Sequence, residues 1–280
     1  IFTRIIRVES IDADTKKITA TITWMTNPLR PQTLIMTTLL TNWQPIATGG
    51  LRDDWTHPIS FGSIDLGAGI FATDIKVKNK IAYMTGKSSS EAKKDFFIVD
   101  TTLSGSAAIL GSINTGPGLQ AVAINENYAY VMNDDEAEDS HAQLQIINIS
   151  NNTNPILIKS FNVPTMREGG LSIAVDGTTA YIGFESNSGR EFFIINVTNP
   201  QNPIVIKSLE IGGSVNGIIL FENRAYIATS VPTKELIVID ITNPSNAMEI
   251  GSYNAPGTQP GNSIAIFNTA RVYLVRNGGV

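Results

Sequence analysis

The 280-residue chain contains no cysteine. That excludes disulfides, thiolate metal sites and a cysteine nucleophile, and it leaves the compartment open. Histidine is nearly as scarce, with His57 and His141 alone. A Ser-His-Asp triad or a histidine-based zinc centre needs histidine placed by the fold, and neither residue has a partner that the sequence names. Charged residues are only 16% of the chain, with both signs interspersed and a net charge of −5. There is therefore no basic patch to grip nucleic-acid phosphates and no Lys/Arg cluster to hold anionic lipid. No apolar run approaches the roughly 18 residues that a membrane span needs. The apolar runs are also too short for helices.

What is there repeats. A Ser in a (Gly/Lys)-Ser-apolar triplet falls at Ser63, Ser112, Ser160, Ser208 and Ser252. The steps are 49, 48, 48 and 44 residues. Five residues earlier stand Pro58, Ala107, Pro155, Pro203 and Ala247. Tyr83, Tyr130, Tyr181, Tyr226 and Tyr273 recur in apolar triplets, and apolar runs end at Asp100, Asn148, Asn196 and Asp240. Gly pairs follow each Ser: Gly67/Gly69, Gly116/Gly118, Gly169/Gly170, Gly212/Gly213 and Gly257/Gly261. A fixed period overrides residue-by-residue reading.

Each repeat holds four short runs rich in Ile, Val, Phe and Tyr, bounded by turn residues, which reads as four strands. In the third repeat they are 171–175, 179–184, 191–197 and 203–211. A repeated four-stranded unit of this length predicts the blades of a β-propeller. The third run of each repeat (FFIVD, LQIIN, FFIIN, LIVID) is apolar throughout, as a strand covered on both faces must be. The fourth opens on Pro in two repeats, which suits a strand's first residue on an edge. The fourth run is thus expected on the rim, and the run after the Gly pair at the centre.

The run FFIVD, LQIIN, LIVID, with downstream Asn-Pro pairs and Gly-Ser-Tyr, resembles the LVIVD-repeat family of β-propellers over residues 58–280. The resemblance implies a surface or secreted bacterial protein, and assigns no activity. The first repeat departs from it, with no Asn-Pro near Ala107.

Before the repeats, residues 2–8 and 17–24 alternate apolar and polar side chains around a loop, and 34–41 forms a third run. The pattern KITATITW, then TLIMTTLLTNW, resembles the C-terminal sheet of type IV pilin-like and pseudopilin proteins. The resemblance implies a pilus or cell-envelope origin; an ordinary hairpin beside the propeller accounts for the same pattern. Residues 44–57 read as a linker. The expected organisation is a β appendage at 1–43, a linker at 44–57 and a propeller at 58–280. The chain opens at Ile1 with neither Met nor a signal-peptide pattern, so its start is expected to be processed, engineered or internal. The run 58–66 is of rim type, and closure of the ring predicts that it pairs with the last repeat. That repeat lacks its third strand, expected either just past Val280 or supplied by 34–41.

Several stretches invite chemistry. Gly116, Gly118 and Ala121 match G-x-G-x-x-A, but a dinucleotide site needs a helix to follow, and here a strand does. Asp134, Asp135, Glu136, Glu138 and Asp139 form the one charge cluster, a candidate calcium loop beside the reading as a solvated loop. The repeated tyrosines read as packing between blades. Asn148, Asn151 and Asn196 fit the glycosylation sequon, two of them at the repeat's own Asp/Asn position.

The expectation is an all-β, five-repeat β-propeller of four-stranded blades with a small N-terminal antiparallel β appendage. The expected function is a non-enzymatic extracellular or cell-surface binding or structural module. Its partner would be a protein, a glycan, or copies of itself in a filament, with no resident cofactor beyond the candidate calcium. The alternative is a propeller enzyme, or a glycan or small-molecule binder, with its site at the channel mouth. An enzyme should place titratable groups at the starts of the inner strands, expected at Phe71, Leu119, Leu171, Val215 and Asn262. Partners are expected on the face of the second-to-third-strand loops, 86–95, 133–142 and 185–190, because these vary while the strands keep register.

Overall fold

The computed structural model describes residues 2–10, 15–27, 30–41, 63–88, 90, 92–102, 107–134, 142–164, 169–186, 189–268 and 271–276. It divides into two compact units, residues 1–60 and 61–279. The first holds β1 (Phe2–Ser10), β2 (Thr15–Asn27) and β3 (Arg30–Thr41). They form one antiparallel sheet in the order β1-β2-β3, in which Trp24 stands opposite both Phe2 and Gln32. The β-branched alternation of KITATIT is what a pleated strand accommodates. Trp43, His57 and the linker expected at 44–57 lie outside the described residues.

Among its described residues, the second unit is four antiparallel four-stranded sheets and a two-stranded fifth. The first sheet is β4 (Ile70–Lys78), β5 (Ile81–Ser88), β6 (Phe96–Asp100) and β7 (Ala108–Ile113). The second is β8 (Leu119–Asn125), β9 (Tyr128–Asn133), β10 (Leu144–Asn148) and β11 (Ile156–Phe161). The third is β12 (Gly170–Asp176), β13 (Thr179–Phe184), β14 (Phe192–Asn196) and β15 (Ile204–Leu209). The fourth is β16 (Val215–Phe221), β17 (Arg224–Thr229), β18 (Leu236–Asp240) and β19 (Met248–Tyr253). The pair β20 (Gly261–Asn268) and β21 (Arg271–Arg276) follows.

Within each sheet the strands lie in chain order, and β4, β8, β12, β16 and β20 stand beside one another. The inner strand is therefore the one after the Gly pair and the rim strand the one after Pro155 or Pro203, as the sequence predicts. The third strands are buried on both faces because each neighbouring sheet covers one of them. Phe96 and Ile98 pack with Leu119, Val122 and Val131 of the second sheet. Leu144 and Ile146 pack with Ile182 and Phe193 of the third, and Phe192 and Ile194 with Ile227 and Ile239 of the fourth. Tyr83, Tyr130 and Tyr181 lie in these inter-blade clusters. Burial pushes the Tyr130 and Tyr181 hydroxyls up to about 12, which fits packing residues.

The glycine pairs act in two ways. Gly116 and Gly118 take φ of +108° and +98°, conformations open to glycine. Gly170 instead permits close approach, since a Cβ there would lie 2.4 Å from Met132 Cε of the preceding blade. In the four complete blades the inner hairpin turns through two residues. The first of them has positive φ: Asn79 at 52°, Glu126 at 50°, Gly177 at 52° and Glu222 at 52°. A left-handed L-residue costs about 1–2 kcal/mol, partly offset by glycine's greater unfolded freedom. Glu222→Gly should thus stabilise the chain by about 0.5–1 kcal/mol, read as a higher urea midpoint at unchanged slope. A lower midpoint would mean that the Glu222 side chain contributes more than the strain costs.

One expectation is corrected. Residues 58–62 lie outside the described residues, and Ser63–Leu66 is not a strand. Ile64 and Leu66 instead pack on the free face of the first sheet, with Ala82, Phe97 and Val99. Ile64 follows the repeat's Ser as Ile113 and Phe161 do, and those residues likewise rest on the following blade. A rim strand needs a third strand to pair with, and among the described residues the fifth sheet has two strands.

Candidate functional site

The four complete blades give the unit two unlike faces. On one, the third-to-fourth-strand connections 101–107, 149–155, 197–203 and 241–247 are all seven residues, and the first-to-second turns are two. This uniformity has a side-chain cause. The Asp or Asn ending each third strand accepts the N–H two residues on: Asp100 from Thr102 (2.7 Å), Asn148 from Ser150 (2.9 Å), Asn196 from Thr198 (2.8 Å) and Asp240 from Thr242 (2.9 Å). Asn151, Asn199 and Asn243 then make a second such turn with Thr153, Gln201 and Ser245. Bonds from Thr102 and Thr242 hold the Asp100 and Asp240 carboxyls below the usual range. The three sequon asparagines are thus turn-forming residues.

On the other face the second-to-third-strand connections are 89–95, 134–143, 185–191 and 230–235, and the rim-to-centre connections 114–118, 162–169, 210–214 and 254–260. Both series vary in length. They share a repeated buried anchor that the sequence reading missed. The residue just before each third strand is Asp95, Gln143, Glu191 or Glu235. Its side chain accepts the backbone N–H twenty residues on: Thr115 to Asp95 (2.8 Å), Val163 to Gln143 (3.0 Å), Ile211 to Glu191 (2.8 Å) and Ala255 to Glu235 (2.9 Å). Gly212 N–H adds a second bond to Glu191 at 3.2 Å. The backbone carbonyl of the same residue accepts the N–H closing the second strand, from Gly86, Asn133, Phe184 and Thr229. Each variable loop is so tied at its root to the connection beside it. Asp95, Glu191 and Glu235 are buried. Burial raises the Asp95 carboxyl to about 7, against the bonds from Thr115, which lower it. The signal was in the sequence as a polar residue in front of every FFIVD-type run.

At the centre, each inner strand carries a bulge that shifts its register near residues 73, 120, 171, 216 and 262. Leu119 and Val215 are therefore fully buried between blades, and polar neighbours replace them at the inner edge. Thr73 Oγ1 donates to Leu119 O (2.8 Å), Ser172 Oγ to Val215 O (2.7 Å) and Asn216 Nδ2 to Gly261 O (2.7 Å). Val122 N donates to Asp74 Oδ2 at 3.0 Å. Polar side chains thus stand just inside the strand starts, and these contacts clip the first blade to the second, the third to the fourth and the fourth to the fifth sheet. Towards the ends of the inner strands lies an open cavity of about 580 Å³, lined by Lys76, Lys78, Ala123, Ile173, Ile219 and Ile264 among others. Lys76 is held by Asp74 at 3.4 Å and Lys78 by Glu126 O at 3.2 Å.

Of the candidate calcium ligands, Asp134 is ion-paired with Lys87 of the preceding blade. Asp135, Glu136, Glu138 and Asp139 lie outside the described residues, as does His141. The glycine motif at Gly116 leads into strand β8, which leaves it no helix N-terminus to hold a pyrophosphate.

The LVIVD repeat model matches residues 119–163, 171–210 and 212–255. Each match spans about one blade. No curated protein sequence matches the chain. Among solved structures, a quinonprotein alcohol dehydrogenase-like protein from Bacteroides thetaiotaomicron superposes with a TM-score of 0.52 at 15% identity, covering 99% of this chain and 72% of its own. The computationally designed Ika4 protein gives 0.48 at 12% identity, over 66% of this chain and 99% of its own. YCF48, solved bound to D1 peptide, gives 0.46 at 11% identity over 77% and 63%. At 15% identity the first likeness concerns fold alone. The chain is an all-β protein in which three LVIVD repeats fall on three successive blades of a β-propeller.

Proposed function

We propose that this protein is an extracellular or cell-surface binding module, without catalysis of its own, that engages a protein or glycan through its variable-loop face. The observation carrying this reading is the contrast between the faces. Turn chemistry fixes one at two and seven residues, while the other varies over rigid blades and has buried anchors under its loops. Recognition is commonly placed on such loops. The buried carboxylates Asp95, Glu191 and Glu235 are engaged with backbone N–H groups, which supports a structural role for them. The resemblance to surface and secreted proteins supports the location. The resemblance of the sequence at 1–43 to pilin-type sheets adds a filament setting to the proposal.

The test is a glycan and peptide array probed with the full chain and two variants. One has residues 135–141 replaced by Gly-Ser; the other has 199–202 replaced by the corresponding residues 151–154. Binding should fall at least tenfold in the first and persist in the second. The reverse pattern would refute the reading. A channel ligand is the second reading, favoured by the cavity of about 580 Å³. It predicts that Ile219→Trp abolishes binding while the loop replacement does not.

A further inference from the structure

The inner strands begin on the variable-loop face, where the rim-to-centre connections deliver them. Each begins with a bulge, and the bulge residues are Thr73, Gln120, Leu171, Asn216 and Asn262. A bulge re-aims the side chain it carries, and bulges are common next to functional sites. Adjacent strands thus set these five residues at one end of the channel, and none of them is charged. Asp74, next to Thr73, is taken up by Ile75 N–H, Lys76 and Val122 N–H. The other donors at this end make a repeated contact. Thr73 bonds Leu119 O, Ser172 bonds Val215 O and Asn216 bonds Gly261 O, and each acceptor is the residue just ahead of the next bulge. At the junction of the second and third blades the corresponding residue is Gly170. Gln120, which holds the place of Thr73 and Asn216 in the series, makes no such clip. It is half-buried, and among the described residues its side-chain amide has no hydrogen-bond partner. Close packing joins the two blades instead, with Gly170 laid against Met132.

We propose that Gln120 is the recognition residue of a site for a neutral saccharide, at the channel mouth on the variable-loop face. The proposal rests on the reading of that face as the binding surface, and it names the class of ligand. An ionic ligand finds no opposite charge among the bulge residues. Adjacent hydroxyls of a sugar ring can donate to the Gln120 amide oxygen and accept from its NH2 at once. Leu171, the half-buried bulge residue of the neighbouring strand β12, offers apolar surface to the C–H face of the ring. A few placed polar groups beside apolar surface are the usual make-up of a small-ligand site.

The experiment titrates the full chain by calorimetry with maltohexaose, cellohexaose and chitohexaose, and with the anionic hexagalacturonate. Gln120→Met keeps the side chain's length and removes its polar atoms. The expected result is saturable binding of a neutral hexasaccharide, weakened about tenfold or more by Gln120→Met, the loss expected for two hydrogen bonds. The melting temperature should stay where it is, because the Gln120 amide makes no bond within the fold; Ser172→Ala, which cuts a clip, should lower it. No binding of a neutral hexasaccharide, tighter binding of hexagalacturonate, or binding indifferent to Gln120→Met would overturn the proposal. A partner lost on replacement of 135–141 but indifferent to Gln120→Met would overturn this site and leave the variable-loop face standing. A partner lost only on replacement of 199–202 would overturn both.

Discussion

Glu191→Ala should lower stability by about 3–4 kcal/mol, among the largest single-residue effects in the chain. Glu191 is 2% exposed, and one carboxylate oxygen takes both Ile211 N–H and Gly212 N–H. Hydrogen bonds to charged groups are worth about 1.5–3 kcal/mol, and a donor stranded by truncation adds its desolvation cost. For a unit of this size the melting temperature should drop by roughly 10 °C. Glu191→Gln should cost under about 1 kcal/mol, because Gln143 fills the same place in the second blade and its amide oxygen accepts Val163 N–H. Equal losses from Ala and Gln would mean that the charge itself, and not an acceptor at this position, holds the junction.

Asp95→Asn should act through pH. Burial raises the Asp95 carboxyl from 3.8 to about 7, so the folded state holds its proton more tightly than the unfolded chain does. The sign follows from linkage. The associated stability is fully present below about pH 4 and is lost as pH rises towards 7. The difference corresponds to about 4 kcal/mol. Asn carries no charge to desolvate and keeps an oxygen for Thr115 N–H. The variant should match the wild type near pH 4 and exceed it by a few kcal/mol at pH 8. Urea unfolding midpoints at half-unit pH intervals would measure this. Parallel curves for the two proteins would show that the bonds from Thr115 compensate the burial, and would remove the effect.

The strand order within a blade was legible because it rests on local rules. Proline at 155 and 203 marks the rim, continuous apolarity at 192–195 marks a strand covered twice, and paired glycines mark the crossing. The anchors were less legible, because Asp95 and Thr115 are twenty residues apart and nothing local links them. Only the superposition of repeats exposes a polar residue that is always there. The inner-strand bulges left no signal in the period, since an extra residue at 73 or 216 shifts every blade alike. That is why Leu119 and Val215 read as channel positions when they are core. The rim strand expected at 58–66 is absent at 63–66 for a different reason: rim character is a property of the side chains, but a strand also needs a partner.

The division of the unit into a uniform face and a variable one is the claim on which the functional proposal rests. Amide hydrogen exchange on the full chain, with and without its strongest array ligand, tests it most directly. Protection should appear in 89–95, 134–143, 185–191 and 230–235 and in the rim-to-centre connections beside them. Protection confined to the seven-residue connections 101–107, 149–155, 197–203 and 241–247 would contradict the account.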